Sequence, residues 1–111
     1  MKQKQVLRDL MTLAMNSERC SAHVRTEVRR WVELDERFNE WFLEEIKPQR
    51  SEEWIMNMLG EDGPAYKAIW KAVIRYRSHP KAKNEAPLLS AINESIRIRA
   101  SYMGDWTPKA S

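Results

Sequence analysis

Residues 24–46 read Val24-Arg25-Thr26-Glu27-Val28-Arg29-Arg30-Trp31-Val32-Glu33-Leu34-Asp35-Glu36-Arg37-Phe38-Asn39-Glu40-Trp41-Phe42-Leu43-Glu44-Glu45-Ile46. Val24, Val28, Trp31, Val32, Phe38, Trp41, Phe42 and Ile46 recur at steps of three and four, the period of one helix face. The spacing predicts a long helix that starts at Ser21 or at Thr26 and reaches Ile46. Pro48 ends it, because the residue before a proline is pushed out of the helical region. No stretch of the chain sustains apolar–polar alternation with β-branched enrichment, and the three glycines fall at 60, 63 and 104. No sheet is expected.

Further helices flank this one. Val6, Leu7, Leu10, Met11, Leu13 and Ala14 predict a helix from about Lys4 to Met15, broken at Asn16-Ser17. Ser51 as a cap, with Glu52 and Glu53 at the positive helix end, predicts a short helix to Leu59, stopped by Gly60. Asp62-Gly63-Pro64 sets proline at the first position of the next helix, which runs to Arg77 with Tyr66, Ile69, Trp70 and Val73 on one face. His79-Pro80 ends it, and Lys81 to Glu85 reads as a polar loop. A last helix from Pro87 to Tyr102 carries Leu88, Leu89, Ile92, Ile96 and Met103 on one side, and Gly104 closes it. The fold class is therefore all-α, a compact bundle of about five helices. Residues 1–104 form one domain, with 1–47 and 51–104 as its two parts, and 105–111 is a loose tail in which Trp106 can fold back on the body.

At 111 residues, 42% hydrophobic and 32% charged, the chain has material for one modest core and is too short for a two-domain enzyme. The single cysteine, Cys20, excludes an intrachain disulfide framework and a cysteine-rich zinc site, and fits a reducing cytoplasm. No apolar run approaches the ~20 residues of a membrane span, so no membrane association is expected. The charges among Lys2, Lys4, Arg8 and Asp9 interrupt the apolar region that a signal peptide needs.

The formal net charge is only +3, but it is unevenly spread. Residues 1–37 hold 8 basic and 6 acidic side chains, residues 38–62 hold 2 and 7, and residues 63–111 hold 9 and 3. Lys67, Lys71 and Arg75 lie at i, i+4 and i+8, a basic ridge that Arg77, Lys81 and Lys83 extend. Arg25 and Arg29 form a second i, i+4 pair with Arg30 beside them. Such ridges can track a phosphate backbone, and they also arise as the solvated face of an amphipathic helix.

Catalytic and metal chemistry is not encoded. His23 and His79 are far apart and belong to no HxxxH or HExxH pattern. Cys20 has no evident partner, adjacent Glu44-Glu45 and Glu52-Glu53 diverge by about 100° on a helix, and Gly60-Glu61-Asp62-Gly63 lacks the strand and the GK[ST] of a phosphate loop. No enzyme activity, cofactor or metal is expected. Five tryptophans and six methionines exceed ordinary usage. Trp31, Trp41 and Trp70 read as core, whereas Trp54, Met56 and Met58 on the short helix suit a protein interface.

The stretch 25–38, with Thr26, Arg30, Trp31, Val32, Asp35 and Phe38, resembles the recognition helix of helix-turn-helix domains in phage terminase small subunits. Residues 91–108, an amphipathic helix with a Gly-containing stop and Pro108, are similar to the last helix of many of those proteins. The resemblance implies a helical oligomer in the host cytoplasm that recognises viral duplex DNA and passes it to a large subunit, without catalysis. It places Thr26, Arg29 and Arg30 on DNA with His23 and Arg25 at the helix entry, and Trp31, Val32 and Phe38 on the core side. Two departures stand against it: Cys20-Ser21-Ala22-His23 has no glycine for the tight turn, and the segment before Thr26 is short.

The candidate nucleic-acid-binding residues are thus His23, Arg25, Thr26, Arg29, Arg30, Lys67, Lys71 and Arg75, with a homo-oligomer and duplex DNA as partners. The competing reading is a helical inhibitor or adaptor of phage or plasmid type, presenting Trp54, Met56, Met58 and the acidic middle to a host protein. A third is a subunit of a nucleoprotein assembly that holds RNA or DNA without reading sequence.

Overall fold

Four α-helices carry the described residues: α1 Lys2–Met15, α2 Ala22–Trp41, α3 Glu52–Ser78 and α4 Ala82–Met103. The computed structural model describes residues 2–104, with side chains from Val6 onward. The expected tail, with Trp106, lies outside the described residues.

Sequence and structure agree on α1 and on the start of α2. Ser21 is the cap: its Oγ accepts the Val24 N–H at 3.2 Å and donates to Glu85 Oε1 at 3.1 Å. The end of α2 differs. A π-helical turn, Phe42–Ile46, continues it, closed by the Lys47 N–H on the Phe42 carbonyl at 2.8 Å. Lys47 keeps helical dihedrals (φ −55°, ψ −42°) in spite of Pro48. The chain leaves the helical path only after the proline, through Gln49 and Arg50 N–H groups on the Ile46 carbonyl.

The two short helices expected over 52–59 and 64–77 are one helix of 27 residues. Gly60 and Gly63 do not stop it, and Pro64 lies inside it. Local propensity alone would break the segment, since an interior proline costs about 3 kcal/mol. Tertiary packing overrides that preference: Met58, Asp62 and Ala65 in the same segment are buried. Likewise α4 begins at Ala82 rather than Pro87. The buried Asn84 draws the expected loop into the first turn by donating its side-chain N–H to the His79 carbonyl at 2.7 Å.

The helices pack as a bundle about α1–α2–α4–α3. Three contacts of equal sequence offset, Ser21–Glu85, Trp31–Ser95 and Asp35–Arg99, run α2 and α4 side by side in the same direction. Asp62–Arg99 and His79–Asn84 run α3 antiparallel to α4. Arg8–Asp35 and Arg25–Met15 make α1 and α2 an antiparallel hairpin. The helix-turn-helix-like part expected over residues 1–47 is not confirmed by these contacts, which are those of two adjacent antiparallel helices. The core joins Leu7, Met11, Val24, Val28, Trp31, Leu34, Ile69, Val73, Leu88 and Ile92 from all four helices.

At the α4 C-terminal half that core contains charge. Arg99 is 1% exposed, and its guanidinium bonds Asp62 (Nε–Oδ1 2.8 Å, Nη2–Oδ2 3.2 Å) and Asp35 (Nη1–Oδ1 2.8 Å). Arg8 Nε takes the other Asp35 oxygen at 2.6 Å. The Arg99 guanidinium carbon stands 4.3 Å from the Phe38 ring, 5.3 Å from Trp31 and 5.8 Å from Tyr66. Burial would lower the Arg99 pKa, but the Asp62 and Asp35 carboxylates outweigh it and hold the group above the usual arginine value. Burial, and then Asp35, push the Tyr66 hydroxyl up.

Removing the arginine leaves two buried carboxylates short of a partner. Arg99→Leu is expected to cost about 3–5 kcal/mol in urea unfolding. Arg97→Leu, which loses only the exposed ion pair with Glu94, is expected to leave the midpoint almost unmoved.

Candidate nucleic-acid interface

The parallel run of α2 and α4 brings two basic segments, remote in sequence, to one end of the bundle. The α2 N-terminus lies beside the α4 N-terminus through Ser21–Glu85, and the α3 C-terminus joins them through His79–Asn84. Residues 16–30 and 71–85 together carry nine lysines and arginines against Glu18, Glu27 and Glu85. Two of those carboxylates are engaged: Glu27 with Arg30 at 3.1 Å and Glu85 with Ser21. Glu40, Glu44, Glu45, Glu52, Glu53 and Glu61 fall at the opposite end, beside Lys47, Arg50 and the start of α1. The acidic middle of the sequence is therefore far from the basic end, along a molecule 44 Å long.

Between α3 and α4 at the basic end runs an open groove. Arg75, His79, Lys81, Lys83, Asn84 and Pro87 line a depression of 480 Å³. Sharing Arg75, Asn84 and Pro87, a second of 450 Å³ extends it past Lys71 to Glu94. Glu94 is paired with Arg97, whose guanidinium holds its carboxyl below the usual range. No Phe, Tyr or Trp side chain is among the lining residues. Unlike α2 and α3, which Ser21 and Ser51 cap, α4 has no side-chain cap, and its positive end opens beside Lys81 and Lys83.

The expected site residues divide. Lys67, Lys71 and Arg75 are exposed, and the last two face the groove. His23 and Arg29 are exposed on α2. Arg25 donates to the Met15 and Cys20 carbonyls at 3.2 and 3.4 Å, and so closes the end of α1. Thr26 Oγ1 donates to the Ala22 carbonyl at 3.0 Å, within its own helix. At the other end Met56 is exposed and Trp54 half-buried, edge-on to Tyr102 at 5.8 Å with Arg50 4.8 Å from its ring. Met58 is fully buried, because its face of α3 turns to the core, so it drops out of any interface.

Asp35, carried by the recognition-helix pattern, points inward with Trp31 and Phe38. The W-x-x-x-D-x-x-F spacing here forms the cradle of Arg99. Sequence reasoning missed Arg99 itself, although it stands in step with Leu88, Ile92, Ser95 and Met103 on the apolar stripe of α4. His79, at first read only as a helix end, lines the groove with Lys81 and Lys83.

Among the described residues no group of three or more His, Cys, Asp or Glu side chains is placed to hold a metal ion, and no helix is long and apolar enough to cross a membrane. Comparison with protein-family models, curated proteins and solved structures finds no match.

Tyr76 anchors the α3 side of this end. Its hydroxyl is buried near Cys20, Ser21 and Glu85, and burial, then Cys20, push it up to about 12 from 10.0. The unfolded chain therefore releases this proton first as pH rises, so stability is full below pH 10 and falls toward about 12. Urea unfolding at a series of alkaline pH values is expected to show that fall, and Tyr76→Phe to flatten it.

Proposed function

We propose that the protein binds nucleic acid, without catalysis, through the basic end of the bundle. The observation that carries this reading is the α3–α4 groove, where Lys71, Arg75, His79, Lys81 and Lys83 converge and the one carboxylate, Glu94, is already paired. Cations along one groove neutralise successive phosphates and release counterions, which gives affinity without sequence reading. The opened N-terminus of α4 adds backbone N–H groups suited to a phosphate oxygen. The lining offers no Phe, Tyr or Trp ring, and the single imidazole of His79 makes no row of stacking platforms, so the groove suits a duplex backbone better than a single strand.

The exposed start of α2, with His23, Arg29 and the partly exposed Arg30, supplies a second contact line at the same end. This is the surface that the resemblance to terminase small subunits assigns to viral DNA. In that reading the protein acts in the host cytoplasm, as an oligomer, in packaging with a large subunit. Arg25 and Thr26 support the helix instead, since their side chains are spent on local carbonyls.

Fluorescence anisotropy of a labelled duplex, titrated at about 50 and about 200 mM salt, tests the reading. Micromolar binding that weakens steeply with salt is expected. Lys71→Ala, Arg75→Ala, Lys81→Ala and Lys83→Ala are each expected to weaken binding to all sequences alike and to lower the salt slope by about 1. Arg29→Ala and Arg30→Ala are expected to relax any sequence preference. Absence of binding at the lower salt contradicts the proposal.

A further inference from the structure

One long face of α3 is left uncovered by the bundle. Met56, Leu59, Gly60, Gly63, Lys67, Trp70, Ile74 and Arg77 recur at steps of three and four, so they form one stripe along the helix, in which Trp70 is partly buried and packed against the core. Met56 is 66% exposed, Leu59 41% and Ile74 50%. On the neighbouring helix α1, Val6 and Leu13 are 47% and 55% exposed. Leu13 shares a shallow hollow with Tyr76, Arg77 and Pro80, so the α1 residues continue the apolar face across the seam. Among the described residues, five of the six exposed large hydrophobic side chains thus lie on α1 and α3.

The two glycines have no explanation within one chain. Both lie inside α3, and a Cβ added at either would meet nothing within 4 Å. Neither has the positive φ that calls for glycine, and each weakens the helix by roughly 1 kcal/mol relative to alanine. A glycine on a helix surface does leave room for a large side chain or another helix to approach closely.

Charge along the stripe is also ordered: Glu52 and Glu53 stand at its start, Lys67 and Arg77 toward its end. A helix that is acidic at one end and basic at the other is complementary to its own copy laid antiparallel. A two-fold axis between Gly63 and Lys67 sets Glu53 of one copy opposite Arg77 of the other. The same register sets Met56 opposite Ile74, and the bare Gly60 opposite Trp70, whose ring is partly buried against its own core and leaves the helices room to approach there. Gly63 then lies under the Lys67 stem. Such a face meets itself, as a closed dimer requires.

We infer that α3 is the dimerisation helix of this protein, packed antiparallel against α3 of a second copy through Met56, Leu59, Gly60 and Ile74, with Glu53–Arg77 pairs at both ends. The dimer holds whether or not the basic end binds nucleic acid. The α3–α4 groove lies on another side of α3, so each copy keeps its own groove in the pair.

Sedimentation velocity of the full chain over a concentration series, without nucleic acid, tests this. A reversible monomer–dimer equilibrium is expected. Gly60→Leu and Ile74→Glu are each expected to weaken it at least tenfold, with helical circular dichroism retained because both positions are exposed. Glu53→Arg alone and Arg77→Glu alone are expected to weaken it, and the two together in one chain to restore it. A monomer at every concentration overturns the inference. So does a dimer indifferent to Gly60→Leu and Ile74→Glu, or a double charge swap no better than the single ones. Either of the last two outcomes would assign self-association to another face.

Discussion

The Arg99 guanidinium, out of water between two carboxylates, is the constraint that the other elements answer to. It draws Asp35 from α2 and Asp62 from α3, and through Asp35 it reaches Arg8 on α1. All four helices therefore meet at one neutral set of two positive and two negative groups. Burying these charges costs several kcal/mol each, and the pairing returns about that much, so the cluster adds little net stability. Its effect is on arrangement. A hydrophobic side chain tolerates many packings, whereas this guanidinium tolerates only those that bring both carboxylates within hydrogen-bond distance. The common offset of the three α2–α4 contacts is the register that follows.

From that register comes the distribution of charge. With α2 and α4 parallel, the start of both helices falls at the same end, and the α3 C-terminus turns back into it. Lys71 to Lys83 and the first turns of α2 converge there, while the glutamates of residues 40–61 are carried to the far end. A chain of net charge +3 thereby gains a strongly basic end. Groove residues are held from behind by half-buried polar contacts, above all Asn84 on the His79 carbonyl and Ser21 on Glu85. The proposed interface is in this sense a product of the core rather than of any one segment.

The all-α class, the extent of α1, the start of α2 and the absence of strands among the described residues were legible from hydrophobic period and caps. Gly60, Gly63, Pro64 and Pro87 misled the reading, because breaker residues report local propensity only. What holds residues 60–64 helical is Asp62 clasped by Arg99 on another helix, a contact of sequence separation 37 that no local window contains. The basic ridge of Lys67, Lys71 and Arg75 was visible as an i, i+4 pattern. That His79, Lys81 and Lys83 share its groove depended on the turn at Asn84. The Trp31, Asp35, Phe38 spacing was conspicuous for the same physical reason in either reading, since those positions share one helix face. Only the inward position of Arg99 decides that they serve the core.

The most direct test of the link between this core and the basic end is residue-resolved. Amide and side-chain NMR shifts of the full chain would be followed as a short DNA duplex is added at low salt. The account predicts shifts confined to Lys71–Asn84, to the first half of α4 and to the first turns of α2, with residues 40–60 undisturbed. Shifts at the acidic end, or none at the α3–α4 groove, would contradict it.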